Sequence, residues 1–233
     1  MEEIIEKLKV AIKKWLAIEG NKSRWNDYQM EQNNLADTLN YFRVKRPEIF
    51  IPLRLACSVY LTQGSNNLFV NIPTTKEHFD VAWLKICKNV EETKEEHKLK
   101  FKSWLKENGS HRFAEKFSLY FSEYLDTAKP ENDIVKLNNC KNKEEIKKFW
   151  MSFKGIGIQY AKNVPMDEKD SFFVNSIKID ARLNAILKDT VAANFKDNLK
   201  EQLFLDGASQ LKITGWQIDR MCYKFGTEIK QLM

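Results

Sequence analysis

Residues 153–164 read FKGIGIQYAKNV, with Gly155 and Gly157 two positions apart between two apolar helical runs. Glycine has no Cβ and accepts backbone angles that other residues resist. The spacing therefore predicts a tight turn that another backbone can approach closely. The N–H groups after the turn open a helix expected over 158–164. The first N–H groups of a helix lack intrahelical partners and carry partial positive charge, which suits a phosphate. Gly155, Ile156, Gly157 and Ile158 are thus the candidate phosphate-binding backbone of a helix–hairpin–helix, with Lys154 and Lys162 beside it. Farther on, IKIDAR at 177–182 sets Asp180 in an apolar frame. A partly desolvated carboxylate there would stabilise positive charge developing on a reacting group. An aspartate just before ARLNAIL also fits a helix N-cap, and one side chain can do both.

The charge pattern points the same way. Between 141 and 163 lie six lysines against two glutamates, a net +4 within a chain whose net charge is +6. Clustered lysines are what phosphate binding requires. The plainer alternative is a helical corner that merely needs small residues, with its lysines on a solvated face.

The elements that must position these groups follow from apolar spacing. Ile4, Ile5, Leu8, Ala11, Ile12, Trp15 and Leu16 predict an amphipathic helix over 2–18, ended by Gly20 and Asn21. Further helices are expected over 24–42, 52–63, 75–88, 111–125, 133–138, 143–153, 180–194, 197–205 and 215–231. Pro52 suits the first turn of the 52–63 helix. GSNN at 64–67 reads as a loop, 68–73 as a short apolar stretch and 165–176 as irregular. The charge-rich segment 89–107 reads as a solvated helix face with intrahelical ion pairs.

Composition agrees with a helical chain. Of 233 residues 43% are apolar, with only 8 Gly and 5 Pro. Cys57, Cys87, Cys140 and Cys222 form no CxxC pair, which argues against a disulfide framework, a zinc knuckle and a four-cysteine iron–sulfur loop. His78, His97 and His111 lack metal-ligand spacing, so no metal is expected. The N-terminus is acidic and amphipathic, unlike a signal peptide, and no run approaches the ~18–20 apolar residues of a membrane span. A cytoplasmic location is expected, nucleoid-associated in a prokaryote, with no membrane partner.

FKGIGIQYA resembles the hairpin of the helix–hairpin–helix (HhH-GPD) DNA glycosylase superfamily, whose pattern is roughly L-x-G-[VI]-G-x-x-x-A. As in that superfamily, an irregular apolar stretch follows (164–179), then an aspartate, then a helix (IDARL). Less specifically, LTQGSNN at 61–67 resembles a loop that reaches the minor groove in relatives, and GWQIDRMCYKFG at 215–226 resembles a final helix. The likeness touches most of the chain from about residue 50, and its specific part is 153–182.

The resemblance implies an all-α fold of two helical lobes with a DNA-binding cleft containing the helix–hairpin–helix. One lobe would combine 1–48 with 165–233, and the other would be 49–164. It implies excision of a flipped, damaged or modified base from double-stranded DNA, with Asp180 stabilising charge on the sugar and positioning or deprotonating water. Strand-nicking relatives carry a lysine where this chain has Gln159, and an amide cannot form their Schiff base. A glycosylase without lyase activity is therefore expected, with Lys154, Lys162 and Lys178 as nearby alternative amines. Trp150, Tyr160, Phe172, Phe173 and Trp216 are candidates to line a base pocket, and Gln63 or Asn66 to fill the gap left in the duplex. No cofactor is required, and a K+ or Na+ ion at the hairpin carbonyls, as in some relatives, is an option the sequence leaves open. A monomer is expected. A non-catalytic helix–hairpin–helix DNA-binding protein, or a helical interaction protein without a DNA role, are the competing readings.

Overall fold

A computed structural model of the chain describes residues 1–63 and 73–233. Among these residues the protein is all-α, without a β-strand. Helix α1 (Glu2–Ala17) buries the predicted stripe of Ile4, Ile5, Leu8, Ala11, Ile12 and Trp15. The chain then turns at Gly20, whose φ of +82° lies in the left-handed region, and α2 (Asn21–Lys45) begins at once. Next come α3 (Pro47–Leu53), a π-helical run (Arg54–Tyr60) and α4 (Leu61–Gln63), which continue one another without a break.

From residue 73 onward lie α5 (Lys76–Ile86), α6 (Lys94–Glu107), α7 (Ala114–Thr127), α8 (Pro130–Asn138), α9 (Lys143–Met151) and α10 (Ile158–Asp167). The chain ends with α11 (Ala181–Leu187), α12 (Asp197–Leu211) and α13 (Gly215–Lys230), with 3-10 turns at Ser171–Phe173 and Val191–Asn194. Side-chain caps fix several starts. Thr93 with Glu96, and Thr214 with Gln217, form reciprocal capping boxes, and Asn142 accepts the Glu145 N–H.

Several expected boundaries differ. The helix expected from Pro52 begins at Pro47, which takes the first helical position, and Pro52 lies inside. Only the residues from 94 of the 89–107 segment are helical, because Thr93 caps α6. Its ion pairs are not only intrahelical: Lys98 and Lys102 both reach Glu115 of α7. Helix α11 stops at Leu187, and 191–194 form a separate turn.

The helices form two compact units, Met1–Gln32 with Pro165–Met233, and Asn33–Val164. The first boundary falls inside α2 rather than at the expected 48. Trp25 and Tyr28 of α2 join the core of α1, α11, α12 and α13. Farther along α2, Phe42 packs against Phe79, with ring centroids 5.6 Å apart. In the first unit the tilted rings of Trp15 and Phe225 have centroids 4.5 Å apart, and Trp15 donates to Glu228 at 2.9 Å. In the second, Phe101 meets Phe121 at 4.2 Å beside the buried His97. His97 Nε2 donates to the Ile86 carbonyl at 2.8 Å, so Nδ1 accepts from the Ser122 hydroxyl at 2.7 Å. Loss of water holds this imidazole below its usual range, a satisfied core histidine.

Gly215 opens α13 in a space that admits no side chain. An added Cβ would lie 2.7 Å from Leu205 Cδ2 and 3.1 Å from the Asn175 backbone. At Gly207 the nearest atoms are at 3.5 and 3.6 Å, ordinary contact. Gly215→Ala should therefore lose about 1–3 kcal/mol of stability, while Gly207→Ala should be neutral or gain up to about 1 kcal/mol. Urea titration of the two variants against wild type measures the contrast.

Candidate functional site

Helix α9 ends at Met151, and residues 152–157 turn the chain into α10. The turn is closed by the Ile156 N–H, which donates to the Phe153 carbonyl at 3.2 Å. The two glycines serve different purposes. Gly155 has φ +86°, and a Cβ there would stand 3.2 Å from Phe117 and 3.4 Å from both Tyr60 and Tyr120. Its left-handed conformation favours glycine, and the fit against Phe117 is tight while that against the other two rings is ordinary contact. Gly157 caps α10 through its carbonyl, which accepts the Ala161 N–H at 3.0 Å. A Cβ at Gly157 would meet no atom within 4 Å. Nothing inside the fold requires glycine there. Ile156 is buried and anchors the turn, while Gly155, Gly157 and Ile158 are exposed.

The turn is held by donors from the helical run that starts at Pro47. The buried Arg54 guanidinium donates to the Ser58 hydroxyl and to the carbonyl of Val164 in α10. The Tyr60 hydroxyl donates to the Lys154 carbonyl at 2.9 Å. Gln63 Nε2 donates to the Gly155 carbonyl at 3.0 Å. Gln63, a candidate to fill a gap in DNA, is thus seen supporting the glycine turn, and Asn66 lies outside the described residues. Arg54 and Tyr60 were not among the sequence candidates. The available signal was an arginine inside the apolar run PLRLACSVYL.

The lysine excess does not form one open face. Lys147 is buried and pairs with Glu144, and Lys162 is only 8% exposed. Lys154 is exposed, yet its ammonium lies 2.7 Å from Glu123 of α7. Lys94 approaches the same carboxylate at 3.7 Å. The Lys154 hydrogen bond and charge hold the Glu123 carboxyl below its usual range. Lys141 and Lys148 remain exposed. Glu123 therefore offsets positive charge beside the turn. Glu123→Gln should return the Lys154 ammonium, whose pKa this carboxylate raises, toward its ordinary range. NMR titration of the lysine side chains in both proteins checks this.

Asp180 lies in the unit formed by 1–32 and 165–233. It caps α11, its Oδ1 accepting the N–H groups of Arg182 at 2.9 Å and Leu183 at 3.2 Å. Oδ2 takes no part in the cap. Ile177 and Ile179 are buried in the core, while Lys178 between them and Asp180 after them are half-buried. The Lys178 N–H donates to Asp219 at 2.7 Å, and Arg220 pairs with Asp167 at 2.8 Å. Asp167, Lys178, Asp180, Asp219 and Arg220 thus gather into one charged cluster, of which sequence reasoning had singled out only Lys178 and Asp180. Its signal was Asp219 and Arg220 standing on the apolar face of α13, between Ile218 and Met221.

Burial dominates this cluster. It holds the Lys178 amine below its usual range, against the pull of the Asp180 charge. It pushes the Asp219 carboxyl up to about 6, opposed by Arg220 and by the Lys178 N–H. An aspartate whose folded pKa exceeds its ordinary 3.8 adds stability at low pH, and that stability is lost as pH rises through about 6. Wild type should therefore lose on the order of 1–3 kcal/mol relative to Asp219→Asn between pH 4 and 7. Denaturation of both proteins across that range measures the difference.

The aromatic candidates divide by burial. Trp150 and Phe173 are fully enclosed in core and offer no open face. Trp216 is buried, donates to the Met166 carbonyl at 3.0 Å and carries the Lys169 ammonium 4.3 Å from its ring centroid. Phe172 is 46% exposed, and Gln159 and Tyr160 are half-buried on α10. The glycine turn, Trp150, Gln159 and Tyr160 belong to the unit 33–164. Asp180, Phe172, Phe173 and Trp216 belong to the other. Among the described residues no three His, Cys, Asp or Glu side chains stand together as metal ligands, and no helix is long and apolar enough to cross a membrane. No protein-family model, curated protein or solved structure matches the chain.

Proposed function

We propose that this protein is a DNA glycosylase that hydrolyses the N-glycosidic bond of a flipped, damaged or modified base, with water as nucleophile and Asp180 as the assisting carboxylate. The observation that carries the reading is Gly157. Its missing side chain serves no internal packing, and it stands exposed at the start of α10 beside exposed Ile158. A glycine that the fold does not need suits a surface that a DNA backbone approaches closely, with a phosphate accepting N–H groups from the first turn of α10.

In this reading 153–164 is a helix–hairpin–helix that grips the strand, and the target nucleotide leaves the stack before reaction. As the bond from C1′ to the base nitrogen breaks, the sugar gains positive charge and Asp180 stabilises it. The water oxygen bonds to C1′. One water proton leaves as the new hydroxyl forms, and the departing base is protonated. The products are a free base and an abasic site. Gln159 supplies no amine, so the strand stays intact until alkali. A K+ or Na+ ion at the hairpin would draw on second lone pairs of the Lys154 and Gly155 carbonyls, whose first are taken by Tyr60 and Gln63. The expected setting is a monomer acting on double-stranded DNA in the cytoplasm, or on the nucleoid of a prokaryote.

One observation favours a second reading, a non-catalytic helix–hairpin–helix DNA-binding protein. The two N–H bonds to Oδ1 already give Asp180 a structural role. The test incubates wild type and Asp180→Asn with a panel of damaged and modified duplexes, then adds alkali to reveal abasic sites. Asparagine caps a helix well, so the variant should fold. Base release should fall at least a hundredfold in the variant. Release that persists would remove Asp180 from the chemistry, and strand breaks before alkali would overturn the water mechanism. Gly157→Val should weaken duplex binding regardless of sequence. Unchanged affinity would count against the hairpin, and binding without base release from any duplex would favour the second reading.

A further inference from the structure

Two adjoining cavities open beside the glycine turn, both inside the unit 33–164. The larger, about 460 Å³, is lined by Tyr60, Tyr120 and Tyr124, by Phe153 and Lys154 of the turn, and by Lys94 among others. The smaller, about 280 Å³, adds Phe149, Lys129 and Lys136. Tyr124 and Phe153 line both. Their rings meet edge to face with centroids 5.6 Å apart, and Phe149 stands 5.3 Å from Phe153. The shared rings form a partition with an aromatic-lined space on each side and two lysines near each space.

This alternation of rings and ammonium groups fits an unpaired nucleic-acid strand. Bases stack on aromatic faces without regard to sequence, and lysines follow the phosphates between them. A base inside a duplex has both faces covered by its neighbours and cannot enter a ring-lined cavity. Acids share these linings: Glu123 and Asp126 balance Lys94 and Lys154 in the larger cavity, Glu123 meeting both lysines and Asp126 pairing with Lys88, while in the smaller Asp133 meets Lys136 at 3.0 Å and leaves Lys129 in excess. Lys129 is exposed at the start of α8. Tyr120 already has two cations near its ring, with the Lys116 and Lys154 ammoniums 5.6 and 5.8 Å from its centroid.

We infer that the two cavities beside the turn take two successive unpaired bases of a DNA strand, divided by the Tyr124–Phe153 partition. This rests on the reading of the chain as a DNA-binding protein, and it adds a single-strand site that neither the hairpin nor Asp180 requires.

The test measures affinity for a blunt duplex and for the same duplex carrying a two-nucleotide single-stranded gap, by fluorescence anisotropy at one salt concentration. Wild type should prefer the gapped duplex by roughly tenfold, and Tyr124→Ala should abolish most of that preference. Equal affinity of wild type for the two duplexes overturns the inference. A second readout needs no variant. Irradiation of wild type with 5-iododeoxyuridine in the gap should crosslink to Tyr120, Tyr124 or Phe153, and crosslinks confined to other residues overturn it. Free thymidine monophosphate that abolishes the gap preference at micromolar concentration would mark a mononucleotide pocket and overturn the strand form. The two readings fail separately. Gly157→Val that leaves blunt-duplex affinity intact while the gap preference persists sinks the hairpin alone. A lost gap preference with the Gly157→Val effect intact sinks the cavities alone.

Discussion

The candidate site depends on one set of hydrogen bonds, the donors that a single helical run sends to the carbonyls around the glycine turn. Arg54, Tyr60 and Gln63 reach the carbonyls of Val164, Lys154 and Gly155. A turn between short helices has few internal bonds of its own, and a buried carbonyl such as that of Val164 would be costly without a donor. Here the bonds come from outside the turn, and the π-helical run from Arg54 to Tyr60 sets the phase of the residues that make them. A π segment is wider than a regular α-helix and rotates the residues on its C-terminal side relative to those before it. Gly155 completes the arrangement with its left-handed φ and by resting its backbone against Phe117, Tyr60 and Tyr120.

Charge is handled differently in the two units. Around the turn, ion pairs such as Lys154 with Glu123 lie near solvent, where they are weak and exchangeable. In the other unit, Asp219 and Arg220 are buried on the apolar face of α13, and Arg220 is held by Asp167. Buried charges persist only when paired, so this cluster fixes the segment that carries Lys178 and Asp180. The Lys178 N–H to Asp219 bond and the Asp180 cap of α11 together set that segment's course.

Much of the helical framework was legible in the chain. The stripe of α1 and the apolar face of α13 have the spacing of amphipathic helices, and both are buried. Where structure and expectation part, a local signal had two meanings. Pro52 resembled a helix start, but Pro47 took that position and the helix absorbed Pro52. The acidic and basic run after 89 resembled one solvated helix, but the Thr93 capping box starts α6 later, and Lys98 and Lys102 turn to Glu115 of another helix. The aromatic residues were the least legible. Trp150, Phe172 and Phe173 are alike in type, yet Trp150 and Phe173 are enclosed while Phe172 is largely open.

By itself the sequence determined that the chain is helical and where its glycine turn lies. It also placed Asp180 at the start of a helix, because caps, turns and amphipathic faces depend on residues within a few positions of one another. Only the tertiary structure decided which charges are free. Whether a lysine can meet a phosphate depends on the carboxylates and the burial it finds in space. Glu123 lies 31 positions from Lys154, and no local pattern joins them. The same holds for Gln63, whose partner is the Gly155 carbonyl 92 positions away. The two glycines differ for the same reason: the fold brings aromatic rings against Gly155, which turns with a left-handed φ, and Gly157 faces open space.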